Sequence, residues 1–186
     1  AEEGAPKGEE GGAKLMIDEG VLDNPSVDAI IGLHISQGSK VGTASYRALG
    51  FMASAQRFDI HIQGKQTHGA RPWAGVDPIV VGAQIINGLQ TIVSRQIDIT
   101  QHPAVVTVGS FTAGVRNNIV PASAQLTGTI RTFDANVRQS IYKKIRAIAE
   151  QTAASMGAVA TVEIDPGVPV TFNDACLLYT SDAADE

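Results

Sequence analysis

Two hydrophobic periods alternate along the middle of the chain. Ala55, Arg57, Asp59, His61 and Gln63 alternate with Gln56, Phe58, Ile60 and Ile62, which gathers the larger apolar residues on one face and predicts a half-buried strand. Asp77 and Pro78 then supply an N-cap and a first-turn residue. Ile79, Ala83, Ile86, Leu89 or Gln90, and Val93 recur at helical spacing, so a helix is expected from there to about Arg95. Ala104 to Gly109 and Ala122 to Phe133 are strand-like and joined through Gly114 to Pro121. Asp134 can cap a second helix with Val137, Ile141, Ile145, Ile148 and Thr152 on one face, and Ala158 to Ile164 reads as a last strand. The order is β-α-β-β-α-β, the ferredoxin-like arrangement of an antiparallel sheet with both helices on one face.

The flanks have a different character. A short helix is expected from Gly12, with Ala13, Met16 and Ile17 at helical spacing and Gly20 as its C-cap. Val27 to Ile35 reads as a mostly buried strand suited to a parallel sheet covered on both faces, with His34 at its end, followed by a turn-rich connector from Ser36 to Gly50. The predicted class is therefore α+β: a ferredoxin-like insert over 51–165 between two pieces of an α/β domain, 1–50 and 166–175. Cys176 to Glu186 continues no earlier pattern and is similar to an in-frame translation of a transposon-end adaptor used in sequencing libraries, so 176–186 is read as a probable non-native tail.

Composition then removes several function classes. With 44% hydrophobic and 18% charged residues, the chain has the balance of a globular protein rather than a disordered one. No apolar run has the length of a membrane span, and the Lys and Arg residues are scattered in a chain of net charge −5, so neither membrane nor nucleic acid is an expected partner. Without the tail, which carries the single cysteine, the acidic count falls from 19 to 16 against 14 basic residues, leaving −2. The chain has no start methionine and no signal peptide, so its N-terminus is expected to lie inside a longer protein.

Candidate chemistry sits at three places. The loop Gly64 to Pro78 joins the best strand to the best helix and carries His68 between glycines and prolines, where a side chain is free to face a ligand. Glu2 and Glu3 are adjacent carboxylates, ordinarily a solvated pair. Two neighbouring carboxylates can also divide labour, one ligating a metal while the other takes a proton from water. His34, at a strand end, is either a satisfied histidine near a core or a ligand. By residue type alone, Asn118 is a turn residue before Pro121 and Arg131 a solvent-facing strand residue.

Ala1-Glu2-Glu3-Gly4, Gly11 to Lys14, Gly32-Leu33-His34, Thr67 to Pro72, Val76-Asp77-Pro78, Asn118 to Pro121 and Gly128 to Phe133, taken together and in order, resemble the dinuclear-metal aminoacylase and carboxypeptidase family. The similarity runs from Ala1 to Asp174 and is strongest to the N-acyl-amino-acid amidohydrolases, the branch that includes hippurate and auxin-conjugate hydrolases. The resemblance implies that Glu2 is the general base, Glu3 and His34 are metal ligands, His68 stabilises an oxyanion, and Asn118 and Arg131 hold the substrate carboxylate or the intermediate. It also implies that the insert is a lid or dimerisation domain in a metallohydrolase catalytic domain. Two divalent ions are implied, zinc first, with manganese, cobalt or nickel as alternatives. The implied partners are an N-acyl amino acid substrate and a second copy of the chain, paired through the lid. Upstream ligands and a final histidine of the family pattern are absent, so the chain by itself is expected to be inactive. Arg71 stands where this branch more usually has a hydrophobic residue. A di- or carboxypeptidase of the same family, or a non-catalytic dimerisation or binding module, are the rival expectations.

Overall fold

The computed structural model describes residues 12–183. In chain order the elements are α1 (Gly12–Asp18), β1 (Leu49–Met52), β2 (Ser54–Gln63), β3 (Thr67–His68), a 3-10 turn (Pro72–Ala74) and α2 (Pro78–Gln96). There follow β4 (Ala104–Ala113), β5 (Ile119–Val120), β6 (Ser123–Thr132), α3 (Ala135–Ser155), β7 (Val159–Val168), β8 (Thr171–Asn173) and α4 (Ala175–Ala183). The chain divides between Arg47 and Ala48 into two compact units.

The second unit is built on a four-stranded sheet of order β4-β6-β2-β7, every neighbouring pair antiparallel. With β2, β4, β6 and β7 taken as the four sheet strands and α2 and α3 as their crossovers, this is the expected β-α-β-β-α-β topology. One face of the sheet carries Phe58, Ile60, Ile62, Leu126 and Ile130, and these join Val81, Ile85, Leu89 and Ile92 of α2 and Ile141, Ile145, Ala149 and Ala153 of α3 in a single core. Each fully buried large aliphatic side chain there is worth roughly 1.5–3 kcal/mol, whereas helix propensities differ by tenths, so packing decides which face of each helix turns inward.

That choice differs from the face expected for α2. Ile79 is 40% exposed while Val81 and Ile85 are buried. The helix has apolar residues around most of its circumference, so periodicity leaves its rotation open. Gly82 settles it, because a Cβ there would lie 2.6 Å from the ring of Phe111. Only a glycine lets the helix come that close to β4. In α3 the expected Ile141 and Ile145 are central, and the small Ala149 and Ala153 complete the buried stripe in preference to the half-buried Ile148 and Thr152.

Both helix starts follow the sequence reading. The Asp77 carboxylate accepts from the amides of Ile79 and Val80 at 2.8 and 3.5 Å, and Pro78 occupies the first turn. Asp134 accepts from Asn136 and Val137 at 2.7 and 2.9 Å, and the Val137 amide is the main cause that holds its carboxyl below the usual range. The ribbon of β1 and β8 is antiparallel and pairs Gly50 with Phe172.

In the first unit α1 closes as expected: Gly20, at φ +82°, donates to Ile17 O and Val21 donates to Met16 O. Val27 to Ile35 does not form the expected buried strand. It is irregular, with Ile31 83% and Leu33 96% exposed. Strand structure exists by laddering to a neighbour, and among the described residues no strand pairs with this run.

Candidate functional site

Beyond the Gln63 end of the sheet the two strands β2 and β6 continue into a narrow two-limbed tip. Gly64 donates to Ala122 O, Thr67 pairs with Val120 and His68 with Ile119, and Gly69 donates to Asn118 O at 2.7 Å. The loop after His68 is clamped on itself. Arg71 N–H bonds His68 O, the Thr67 hydroxyl donates to Arg71 O, and Lys65 and Val76 exchange both backbone hydrogen bonds. Gly75 is required by this clamp, since a Cβ would collide with Lys65 O. The glycines and prolines that mark a loop in the sequence therefore build a rigid one.

His68 is exposed, and its orientation follows from one hydrogen bond: the Ala70 amide donates to Nδ1 at 3.0 Å. An accepting Nδ1 places the proton of the neutral ring on Nε2, so the outward nitrogen is a donor. That is the form needed to stabilise developing negative charge. The ladder between β3 and β5 brings the backbone of Asn118 beside Gly69, so His68 and Asn118 share this tip.

Arg131 is elsewhere. It lies near the far end of β6, opposite Ala55 of β2 and Val105 of β4, and its guanidinium donates to the Thr129 hydroxyl and to Ile130 O. From Ser123, where the tip begins, to Arg131 the strand advances about 26 Å at the usual rise. A single copy of the chain therefore does not bring its own His68 and Arg131 to one small molecule.

His34 belongs to the first unit and is described within it. Its Nδ1 lies 2.7 Å from Ile35 O, and a carbonyl only accepts, so Nδ1 donates and Nε2 keeps its lone pair. This is the tautomer of a histidine ligand whose other nitrogen is held by a backbone carbonyl. Glu2 and Glu3 lie outside the described residues. Among the described residues no three His, Cys, Asp or Glu side chains gather as a metal cluster. The donor chemistry fits a metal at His34 Nε2, and His34 is the one expected ligand that the described residues contribute.

The sequence reading missed a polar network on the helix-free face of the sheet. Arg57 forks onto the Asp59 carboxylate at 2.9 and 3.0 Å, and Thr127 and Gln125 donate to the same Asp59 oxygen at 2.7 and 3.4 Å. Burial pushes the Asp59 carboxyl up, but the hydrogen bonds and the Arg57 charge outweigh it and its pKa is lowered. The alternating polar residues of β2 were the available signal; the partners from β6 depend on register. Beside this network a shallow cavity of about 430 Å³ is lined by Arg57, Gly109, Ser110, Thr127, Gly128 and Thr129. It lies at the bulge between Val108 and Ser110, away from the tip of His68.

The model of the peptidase dimerisation domain of the M20 family matches residues 53–157, the ferredoxin-like unit from the start of β2 to the end of α3. The chain belongs to the M20 family. N-acetyl-L-cysteine deacetylase of Bacillus subtilis is 39% identical over 166 residues, covering 89% of this chain and 39% of that protein. Thermostable carboxypeptidase 2 of Saccharolobus solfataricus is 37% identical over 165 residues, covering 88% and 41%. Among solved structures, a Bacillus subtilis protein described as a dinuclear metal binding peptidase from the M20 family superposes with a TM-score of 0.70 at 34% identity, covering 92% of this chain and 42% of its own. The M20 chain described here thus spans between 39% and 42% of the length of these relatives.

Proposed function

We propose that this chain is part of an M20 amidohydrolase that cleaves the amide bond of N-acyl amino acids, with its ferredoxin-like unit as the lid. The observation that carries the reading is the His68 imidazole, held on a clamped loop with Nε2–H presented outward by the Ala70 hydrogen bond. The deacetylase relative supports this substrate class. In this reading Glu2 accepts the proton of the attacking water and passes it to the leaving amine. His68 donates to the developing oxyanion, and Asn118 at the same tip holds the substrate carboxylate or the intermediate. Arg131 offers a planar fork to the substrate carboxylate. Glu3 and His34 Nε2 would be ligands for two divalent ions, zinc first, which when bound supply electrophilic activation of water and of the amide carbonyl.

The lid reading also assigns 1–50 and 166–175 to the catalytic domain, 51–165 to the lid and 176–186 to a non-native tail. The separation of His68 and Arg131 supports a homodimer through the lid, because two copies related by a two-fold axis can bring the His68 of one to the Arg131 of the other. A carboxypeptidase reading of the same residues draws support from the thermostable carboxypeptidase relative.

Two measurements test the reading. The complete enzyme is assayed on acetyl-, benzoyl- and indole-acyl amino acids beside dipeptides; hydrolysis of dipeptides alone transfers the assignment to the carboxypeptidase. Glu2→Gln in that enzyme is expected to lower turnover by about two to four orders of magnitude with metal content nearly unchanged. Parallel loss of metal and activity would make Glu2 a ligand instead of the base.

A further inference from the structure

The tip that carries His68 also gathers positive charge. Over 64–78 and 114–121 it holds Lys65, Arg71 and Arg116 against one acid, Asp77, whose carboxylate caps α2. This surplus runs against the whole chain, in which 19 acidic residues outnumber 14 basic ones. Several other arginines of the same unit are engaged by protein acceptors: Arg57 by Asp59, Arg131 by Thr129 and Arg146 by Val162 O. Arg71 and Arg116 are exposed, and neither guanidinium has an acceptor among the described residues.

Their backbones are nonetheless fixed at the same end of one ribbon. On one limb Arg71 follows His68 by three residues and bonds back to it, with its N–H on His68 O at 2.7 Å. On the other, Ile119, the ladder partner of His68, donates to Arg116 O at 3.5 Å. Two exposed arginines whose backbones are clamped at the tip that carries the His68 imidazole make a surface suited to an anion. Arginine matches a carboxylate with paired, planar donors, and a guanidinium not already neutralised loses no internal ion pair when it binds one.

We propose that Arg71 and Arg116 are specificity residues that bind a second carboxylate of the substrate, additional to the one assigned to Arg131, so that the enzyme favours N-acyl amino acids with two carboxylates. The inference rests on the amidohydrolase reading with His68 at the reacting amide. The second carboxylate comes either from the acyl group or from the amino-acid side chain, and both sources present the same chemistry to the tip.

The test uses the complete enzyme and pairs that differ only by acid against amide. N-acetylglutamate with N-acetylglutamine places the charge on the amino acid; N-succinylalanine with N-succinamoylalanine places it on the acyl group. N-acetylleucine is the neutral control. In one of the two pairs the acid is expected to be preferred by about 10-fold or more in kcat/KM at low salt, mainly through KM, with the preference shrinking as salt rises. Arg71→Gln and Arg116→Gln should each bring that ratio toward one, and Arg71→Lys should restore part of it. An enzyme that cleaves N-acetylleucine but prefers the acid in neither pair overturns the inference and leaves the amidohydrolase reading standing. Variants that lower acid and amide alike, with the ratio intact, overturn it as well. Failure to cleave any N-acyl amino acid overturns the underlying reading, and this inference with it.

Discussion

At the scale of single residues, the sharpest electrostatic feature is Asp59, 8% exposed and accepting from three side chains. Desolvation alone would raise its pKa; the Arg57, Thr127 and Gln125 hydrogen bonds and the Arg57 charge reverse the sign. A carboxyl held below its unfolded value contributes stability above the unfolded pKa, near 3.9, and loses that contribution as pH falls through the folded value. Asp59→Asn is therefore expected to destabilise the chain by about 1–2 kcal/mol at pH 7, with allowance for the exposed Arg57 partner, and to show a smaller deficit in strong acid. Urea unfolding of both proteins at pH 7 and pH 2.5 checks this. A deficit that is the same at the two pH values would mean that shape, rather than charge, sets the role of Asp59.

At the scale of elements, the cap of α2 matters twice, because Asp77 starts the helix and ends the loop that carries His68. Its carboxylate holds two amides of the first turn. Asp77→Ala is expected to cost about 1 kcal/mol, and Asp77→Ser only a few tenths. The denaturant midpoints of the two variants, at unchanged slope, measure the difference. Equal losses for Ala and Ser would show that the hydrogen bonds to Ile79 and Val80 contribute little. The rotation of α2 teaches a related lesson: a helix with apolar residues on most sides is oriented by where a neighbour can approach, here at Gly82 against Phe111.

At the scale of the whole molecule, the wide separation of His68, at the tip, from Arg131, at the far end of β6, makes a trans arrangement a testable property of the complete enzyme. His68→Ala and Glu2→Gln homodimers should each be nearly dead. In a mixed dimer the His68→Ala subunit keeps its own Glu2 and takes His68 from its partner, so one site of two is whole. Random assembly makes about half the dimers mixed, and on the order of one quarter of wild-type activity should return. Verified subunit exchange without recovery would place His68 at its own subunit's site. The 186-residue chain alone is expected to bind zinc weakly, since Glu3 and His34 are the only metal ligands assigned to it and a stable zinc site takes at least three protein ligands. Calorimetry showing tight, stoichiometric zinc binding would refute that.

What the sequence determined by itself is local. Alternation in β2 named the apolar face, Asp77 and Asp134 named the helix starts, and the order of periods named the topology, because each depends on residues a few positions apart. The histidine loop was legible for the same reason: glycine and proline mark it in the chain before any contact is known. Tertiary structure decided what depends on distant neighbours. It turned α2 by about one residue through the close approach of Phe111 to Gly82, joined Asp59 to Thr127 and Gln125 across a strand pair, and set His68 beside the Asn118 backbone while leaving Arg131 at the other end of the sheet. The Val27 to Ile35 run marks the boundary between the two. Its composition favours a buried strand, but a strand also needs a hydrogen-bonding neighbour, which hydrophobic residues cannot supply from within their own segment.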